Sequence, residues 1–523
     1  MRFYAAGAIR CLLPPLRAAA IIAADAARLH PATPDAAVRL LIRLLIGAAL
    51  LAPIVVVAAL AWLGIPRTGA GMAAKAVCSG VFVADRPPAD VIARDVLPAS
   101  PLLRLAGVTL DGGARTVHGT MLWSGPRAAR WLPGLGCVLD PTPELAAAAT
   151  AAGIGADERT PFPSNGAAAP APWPDDPGAG VDRAAIARIV DEQFAAGPDG
   201  SDRRATRALL ILHDGRLLAE RYGAGFDAET RQIGWSMTKT VLGMLVIKRL
   251  AEQNLPLSTP VLEWIAPARR PAWLDAWQHD QRRQITVADL LLMRDGLAHV
   301  EGYAPWSAVP RMLWNETDVA AYVGAAPADA PAGSRWRYLS ASTNLLSGLL
   351  RLTFDDDAAY WRYPETALLR AIGANSMVIE SDASGNLIAS SYGWATPRDF
   401  ARIGELIRRQ GASADGTPLL PPHWWQVATA PPPLPAGAAA QPAATAYGAQ
   451  TWLPGAAGSS FCGNGQRLPA DTVALTGHWG QLVAAIPSRG LVVVRLGMTL
   501  TRDGFDRCAL LERVAAALPA SAD

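Results

Sequence analysis

Between Arg43 and Arg67 the chain carries no charge, and the run from Leu44 to Pro66 is dominated by Leu, Ile, Val and Ala. At 1.5 Å rise per residue, a helix over this run matches the hydrocarbon core of a bilayer, roughly 30 Å thick. One transmembrane helix over residues 44–66 is the expectation. Pro53 inside it is tolerable in lipid, where neighbouring groups satisfy the freed carbonyl, and Trp62 falls where an interfacial aromatic belongs. A buried core helix and a cleaved signal peptide are the competing readings; the second would need an unusually long basic leader and an oversized apolar region. Arg2, Arg10, Arg17, Arg28, Arg39 and Arg43 precede the run, against Arg67, Lys75 and Arg86 soon after it. This bias places residues 1–43 in the cytoplasm, makes residues 44–66 a single-pass anchor in the inner membrane, and exports the remainder to the periplasm or the cell exterior.

Four of the five cysteines, Cys78, Cys137, Cys462 and Cys508, lie on the exported side, where oxidation favours disulfides. Three pairings are open. Cys78 with Cys137 and Cys462 with Cys508 is preferred, because each pair then closes within one region, and unpaired buried thiols are the alternative. No CxxC or HExxH spacing occurs, so neither a metal site nor any other cofactor is expected. A net charge of +2 and the lack of a basic run with interleaved aromatics exclude nucleic acid as a partner.

Beyond the apolar run, residues 67–164 read as an extension of short apolar segments, with strands expected at Leu102 to Leu110 and Thr120 to Trp123. Residues 165–181 are rich in Ala, Pro, Gly and Asp and read as a linker. A second domain over 182–518 opens with helical spacing from Asp182 to Phe194. Two apolar runs follow, Arg207 to His213 and Arg216 to Tyr222, parted by the turn pair Asp214-Gly215: a β-hairpin. Near the C-terminus, Thr472 to Thr476, Leu482 to Ile486 and Leu491 to Gly497 read as strands, followed by an amphipathic helix from Asp506 to Leu518. Helical spacing dominates between these ends, including Lys239 to Gln253, Val287 to Met293 and Pro397 to Arg409. The fold class is α/β in the α+β sense: an antiparallel sheet flanked by helices and split by a helical insertion, not repeated βαβ units.

Among 47 basic residues only Lys75, Lys239 and Lys248 are lysines. Arginine cannot act as a base, whereas a buried lysine can lose its proton. Chance survival suits Lys75 and Lys248; Lys239 stands in Gly234-Trp235-Ser236-Met237-Thr238-Lys239-Thr240, ahead of the periodic Val241, Leu242, Leu245 and Val246. A spacing of three puts Ser236 and Lys239 on one face of a first helical turn, within reach of each other and in the positive field of the helix N-terminus. Alone, SxxK more often describes a capping serine with a solvated lysine. Further on, Tyr338-Leu339-Ser340 leads into the apolar Leu345, Leu346 and Leu349; its phenol could relay a proton if neighbouring cations lowered its pKa. Thr476-Gly477-His478-Trp479-Gly480-Gln481 falls between two strands, where glycines admit close backbone approach, His478 would reach the reacting group and the Gln481 N–H would serve an oxyanion.

In order and spacing, SxxK, YxS and HxG resemble the three signatures of the serine β-lactamase and penicillin-binding superfamily. The nearest likeness is to its class C branch, with esterases, D-amino-acid peptidases and 6-aminohexanoate-dimer hydrolases. Ile285 to Leu291, Pro331 to Tyr338 and Pro487 to Val494 carry further local likeness, and the resemblance spans roughly 183–515. It implies a β-lactamase/transpeptidase-like fold, with Ser236 as nucleophile, Lys239 as its base, Tyr338 as partner base and proton donor, and the Ser236 and Gln481 N–H groups around the oxyanion. His478, Ser340 and Gly480 would complete the substrate side. Ser340 replaces the Asn of YxN and His478 the Lys of KTG, so a β-lactam carboxylate loses its cation. Arg294-Asp295-Gly296-Leu297 stands where many relatives carry a Ser-Gly-Leu turn.

The expected activity is therefore hydrolysis of a small-molecule or peptide-like ester or amide through an acyl-enzyme. The alternatives are a membrane-anchored sensor that acylates without turnover, and a D,D-peptidase or β-lactamase. An α/β-hydrolase is disfavoured, because its GxSxG elbow would need Gly where Thr238 stands. From its length, the extension is expected to border the active-site cleft.

Overall fold

The computed structural model describes residues 34–154, 180–197, 201–433, 442–457, 459–463, 467–501 and 503–519. Residues 1–33 of the expected cytoplasmic segment and residues 165–179 of the expected linker lie outside these. The chain divides into two units, Met1–Gly64 and Ile65–Asp523.

In the first unit, α1 (Pro34–Trp62) is one continuous helix through Pro53. Its stretch Val38–Trp62 has a mean hydropathy of 2.7, and none of it is buried. Apolar side chains so placed need a nonaqueous surrounding. The helix is a candidate membrane anchor or signal sequence.

The second unit opens with α2 (Ile65–Phe82), a helix where the sequence reading expected only the start of a strand-containing extension. Its Ala- and Gly-rich surface lies against an antiparallel sheet of β1 (Ala106–Asp111), β2 (Thr116–Met121), β3 (Ser124–Leu132) and β4 (Gly136–Leu139), in that order. Contact is close enough that a Cβ on Gly119 would stand 2.2 Å from the Ala70 carbonyl oxygen. The strand expected from Leu102 begins only at Ala106, because Ser100 caps a 3₁₀ turn over Pro101–Leu105. Cys78 and Cys137 join α2 to β4 with Cα atoms 5.9 Å apart. A short helix α3 (Pro143–Ala152) follows, capped by Thr142 and ended by Gly153 at φ 61°.

The remaining chain starts with α4 (Arg183–Phe194), whose N-cap is Asp182. Then come β5 (Thr206–His213) and β6 (Arg216–Tyr222), turned by Asp214 and Gly215, both at positive φ as a tight hairpin requires. The insertion holds β7 (Gln232–Ile233), α5 (Thr238–Glu252), α6 (Ser340–Arg351), β8 (Val378–Ile379), β9 (Gly393–Ala395) and α7 (Pro397–Arg408). The chain ends through β10 (Val473–Gly477), β11 (Gln481–Ile486), β12 (Leu491–Gly497) and α8 (Arg507–Ala516). The main sheet is antiparallel throughout, ordered β10-β11-β12-β5-β6, so the two ends of the domain share one sheet.

Every residue of β12 is buried, and apart from the buried Arg495 its sequence runs apolar without alternation. Leu491 and Val493 pack with α4 and α8; Val492 and Val494 face the insertion side with α7. Cys462 and Cys508 tie the loop before β10 to α8, so both disulfides follow the preferred pairing. Helices α5 and α6 run through the core, with Lys239 and Ser340 buried among apolar neighbours.

Candidate active site

The turn that carries Ser236 is held from several directions. Trp235 adopts φ 48°, a left-handed conformation costly for a bulky residue. A 3₁₀ turn, Trp235–Met237, leads from it directly into α5. Thr238 Oγ1 donates to the Trp235 carbonyl at 2.8 Å and accepts from Gly393 N at 3.0 Å, while Gly234 N donates to Gly393 O at 2.7 Å. A Cβ on Gly477 would meet Gly234 O at 2.2 Å, so the end of β10 presses against this turn.

Lys239 is 1 % exposed, and its Nζ donates to Ser236 Oγ at 2.9 Å, Ser340 Oγ at 3.1 Å and Ser390 O at 2.9 Å. Ser340 Oγ spends its own proton on Glu301 Oε1 at 2.7 Å, and a carbonyl can only accept. When Lys239 is neutral, its two N–H bonds therefore point at Ser340 and Ser390, and its lone pair at Ser236. Burial pushes the Lys239 pKa down to about 8, against the opposing charge of Glu301. Near neutrality the neutral form is thus far more populated than for a solvated lysine.

The Tyr338 ring centroid lies 5.0 Å from Lys239 Nζ, and Ser236 is among the groups that act on its phenol. It stacks on Trp452 at 5.3 Å and meets Tyr447 edge-on at 5.6 Å. Burial raises its pKa, and Glu301 raises it further. The phenol stays protonated, which suits a donor better than a base.

His478 faces the same cavity as Ser236 and Ser340. Its ring stacks on Tyr303 at 5.2 Å and packs against Trp479 and Trp235. Shielding from bulk water lowers its pKa to about 4, so it is neutral at physiological pH. Gly480 takes φ 83°, and the space a side chain would fill is held by Arg495, 2.6 Å away, rather than left for a ligand. Arg495 is fully buried and donates to Gly480 O at 2.9 Å. The Gln481 side chain is occupied with Gly497 and the His478 carbonyl, which leaves only its main-chain N–H for an oxyanion role.

Sequence reasoning missed Glu301, Tyr303, Ser390 and Arg495. Glu301 accepts from Ser340 N and Oγ at 2.7 Å each and from Tyr303 OH at 2.6 Å. It sits in a loop without periodicity, and only its position between a buried His and an aromatic marks it. The Asp295-Gly296 pair gains a reason as well: buried Asp295 accepts from Ser342 Oγ at 2.5 Å on α6, and Gly296 turns at φ 77° against Ala330 O. Among the described residues no group of three or more His, Cys, Asp or Glu could hold a metal ion.

A family model described as Beta-lactamase matches residues 186–517. A comparison with curated proteins finds no significant match. Among solved structures, a protein described as a 6-aminohexanoate-dimer hydrolase from Bacillus anthracis is 18% identical, covers 67% of this chain and 88% of its own, and has a TM-score of 0.49. A penicillin-binding protein homolog from Caulobacter crescentus is 17% identical over 66% of this chain and 99% of its own, with a TM-score of 0.48. A family VIII carboxylesterase is 12% identical over 66% and 98%, with a TM-score of 0.48.

Proposed function

From the premise that the chain belongs to the β-lactamase family, within the serine β-lactamase and penicillin-binding superfamily, we propose that it is a serine hydrolase cleaving an ester or amide through an acyl-enzyme on Ser236. The observation that carries this reading is the buried Lys239, whose fixed acceptors aim its lone pair at Ser236 Oγ.

Ser236 Oγ attacks the carbonyl as its proton passes to Lys239. Main-chain N–H groups of Ser236, in a first turn where they lack helical partners, and of Gln481 hold the oxyanion. As the C–O or C–N bond breaks, the proton reaches the leaving group through Tyr338, whose raised pKa keeps it a donor. Water then attacks the acyl-enzyme with Lys239 again as base, releases the acid and restores the Ser236 hydroxyl. Neutral His478 supplies no cation for a carboxylate, which supports uncharged esters or amides over β-lactams.

We read α1 as a membrane anchor that leaves the catalytic unit exported, a reading supported by the arginine excess before the span and by two disulfides after it. The test is turnover of p-nitrophenyl esters and anilides by the full chain in detergent. Steady release, lost in Ser236→Ala and Lys239→Arg, supports the hydrolase; a single stoichiometric burst without turnover supports the acylating sensor instead.

A further inference from the structure

The cavity in front of Ser236 is closed by two regions far apart in sequence. One wall, with Val309 and Leu313, belongs to the insertion; the other, with Ile65, Met72, Leu103 and Met121, belongs to α2, β2 and the turn between them. Its volume is about 190 Å³. Ser236, Ser340, Ser391, Tyr303 and His478 line it on the insertion and sheet side, Thr68 and Ser100 add hydroxyls on the extension side, and most of the remaining lining is apolar. None of the lining residues is Lys, Arg, Asp or Glu, and His478 is neutral.

The extension's wall is fixed in place. Glu380, fully buried on the insertion side, takes an ion pair from Lys75 Nζ at 2.8 Å and hydrogen bonds from Ser79 Oγ and Cys137 N, both at 2.8 Å. Lys75 lies one turn beyond Met72 on α2, and Thr68, one turn before Met72, accepts from Asn315 Nδ2 at 2.7 Å. The wall is thereby a permanent part of the site rather than a passing lid.

We propose that the N-terminal extension is the substrate-selecting element of this site, closing an apolar slot for the uncharged acyl group of the substrate. The proposal rests on the serine-hydrolase reading and names its substrate class. A charged acyl group would be desolvated here without a partner, at a cost no lining residue offsets. An apolar cavity of about 150 Å³ takes a benzene ring, so by scaling this slot suits roughly six to eight carbons. The acyl group, rather than the leaving group, is assigned to it because the acyl carbon stays bonded to Ser236, which lines the slot, after the alcohol or amine has left.

The experiment is an acyl-length series of p-nitrophenyl esters, acetate to laurate, on the full chain in detergent, with active sites counted by fluorophosphonate labelling of Ser236. The expected result is a kcat/KM that rises by up to about fourfold per methylene to hexanoate or octanoate and then stops rising. Leu103→Trp on the extension and Val309→Trp on the insertion are each expected to lower the octanoate-to-acetate ratio at least about tenfold per labelled site. A labelled enzyme that prefers acetate, whose ratio ignores both substitutions, or whose rate follows the alcohol length at constant acyl group, would overturn the slot while leaving the serine hydrolase standing. Absence of labelling at Ser236 would overturn both.

Discussion

Lys239 Nζ stands 2.9 Å from Ser236 Oγ with its two other acceptors, Ser340 Oγ and Ser390 O, fixed by partners of their own or by being carbonyl. In the proposed mechanism this geometry fixes the direction of the amine's lone pair.

The first consequence concerns pH. The lysine must be neutral to act, and burial brings its pKa to about 8. kcat/KM is expected to be level above that value and to fall about tenfold per pH unit below it. Lys239→Arg cannot deprotonate and should lose about 10²–10⁴-fold on the plateau, with no acid limb near pH 8. A pH–rate profile on an uncharged ester measures both.

Glu301 opposes that lowering, since a nearby carboxylate favours the ammonium. In Glu301→Gln the charge is gone, the lysine pKa falls further, and the acid limb of the profile moves to lower pH. The same substitution also weakens the acceptor of Ser340, so the plateau kcat should drop. A profile with an unmoved limb would show that Glu301 only packs.

Lys75 and Glu380, with side chains 5 % and 0 % exposed, form an ion pair between the extension and the insertion. Removing one partner leaves the other charge buried, so Lys75→Met is expected to cost about 3–5 kcal/mol of stability. Lys75→Met with Glu380→Gln should cost less than the two single changes added together. Thermal and urea unfolding of the four proteins give the comparison.

His478 is held neutral by burial where a lysine would anchor a β-lactam carboxylate. Benzylpenicillin should therefore acylate Ser236 on the order of a hundredfold more slowly than an uncharged ester of similar reactivity. Stopped-flow competition against a chromogenic ester reads the ratio.

Much of this was legible because it rests on local rules. Asp214-Gly215 announces the β5–β6 turn, the short apolar runs of β10 to β12 announce the sheet, and the spacing of three between Ser236 and Lys239 survives folding as a hydrogen bond. The rest depends on long-range burial. Lys75 reads as a chance lysine until Glu380 is placed beside it. Tyr338 reads as a candidate for a lowered pKa until the fold buries it near Glu301 rather than near a free cation. Helix α2 has no strong apolar periodicity to announce it, and its alanines and glycines make sense only against β2 and β3.

The most direct measurement is the rate of fluorophosphonate labelling of the full chain as a function of pH, with the modified peptide identified by mass spectrometry. Labelling confined to Ser236, rising through a pKa near 8 and abolished in Lys239→Arg, is the predicted result. Labelling elsewhere, or undiminished labelling of Ser236 in Lys239→Arg, would contradict a lysine-activated serine nucleophile.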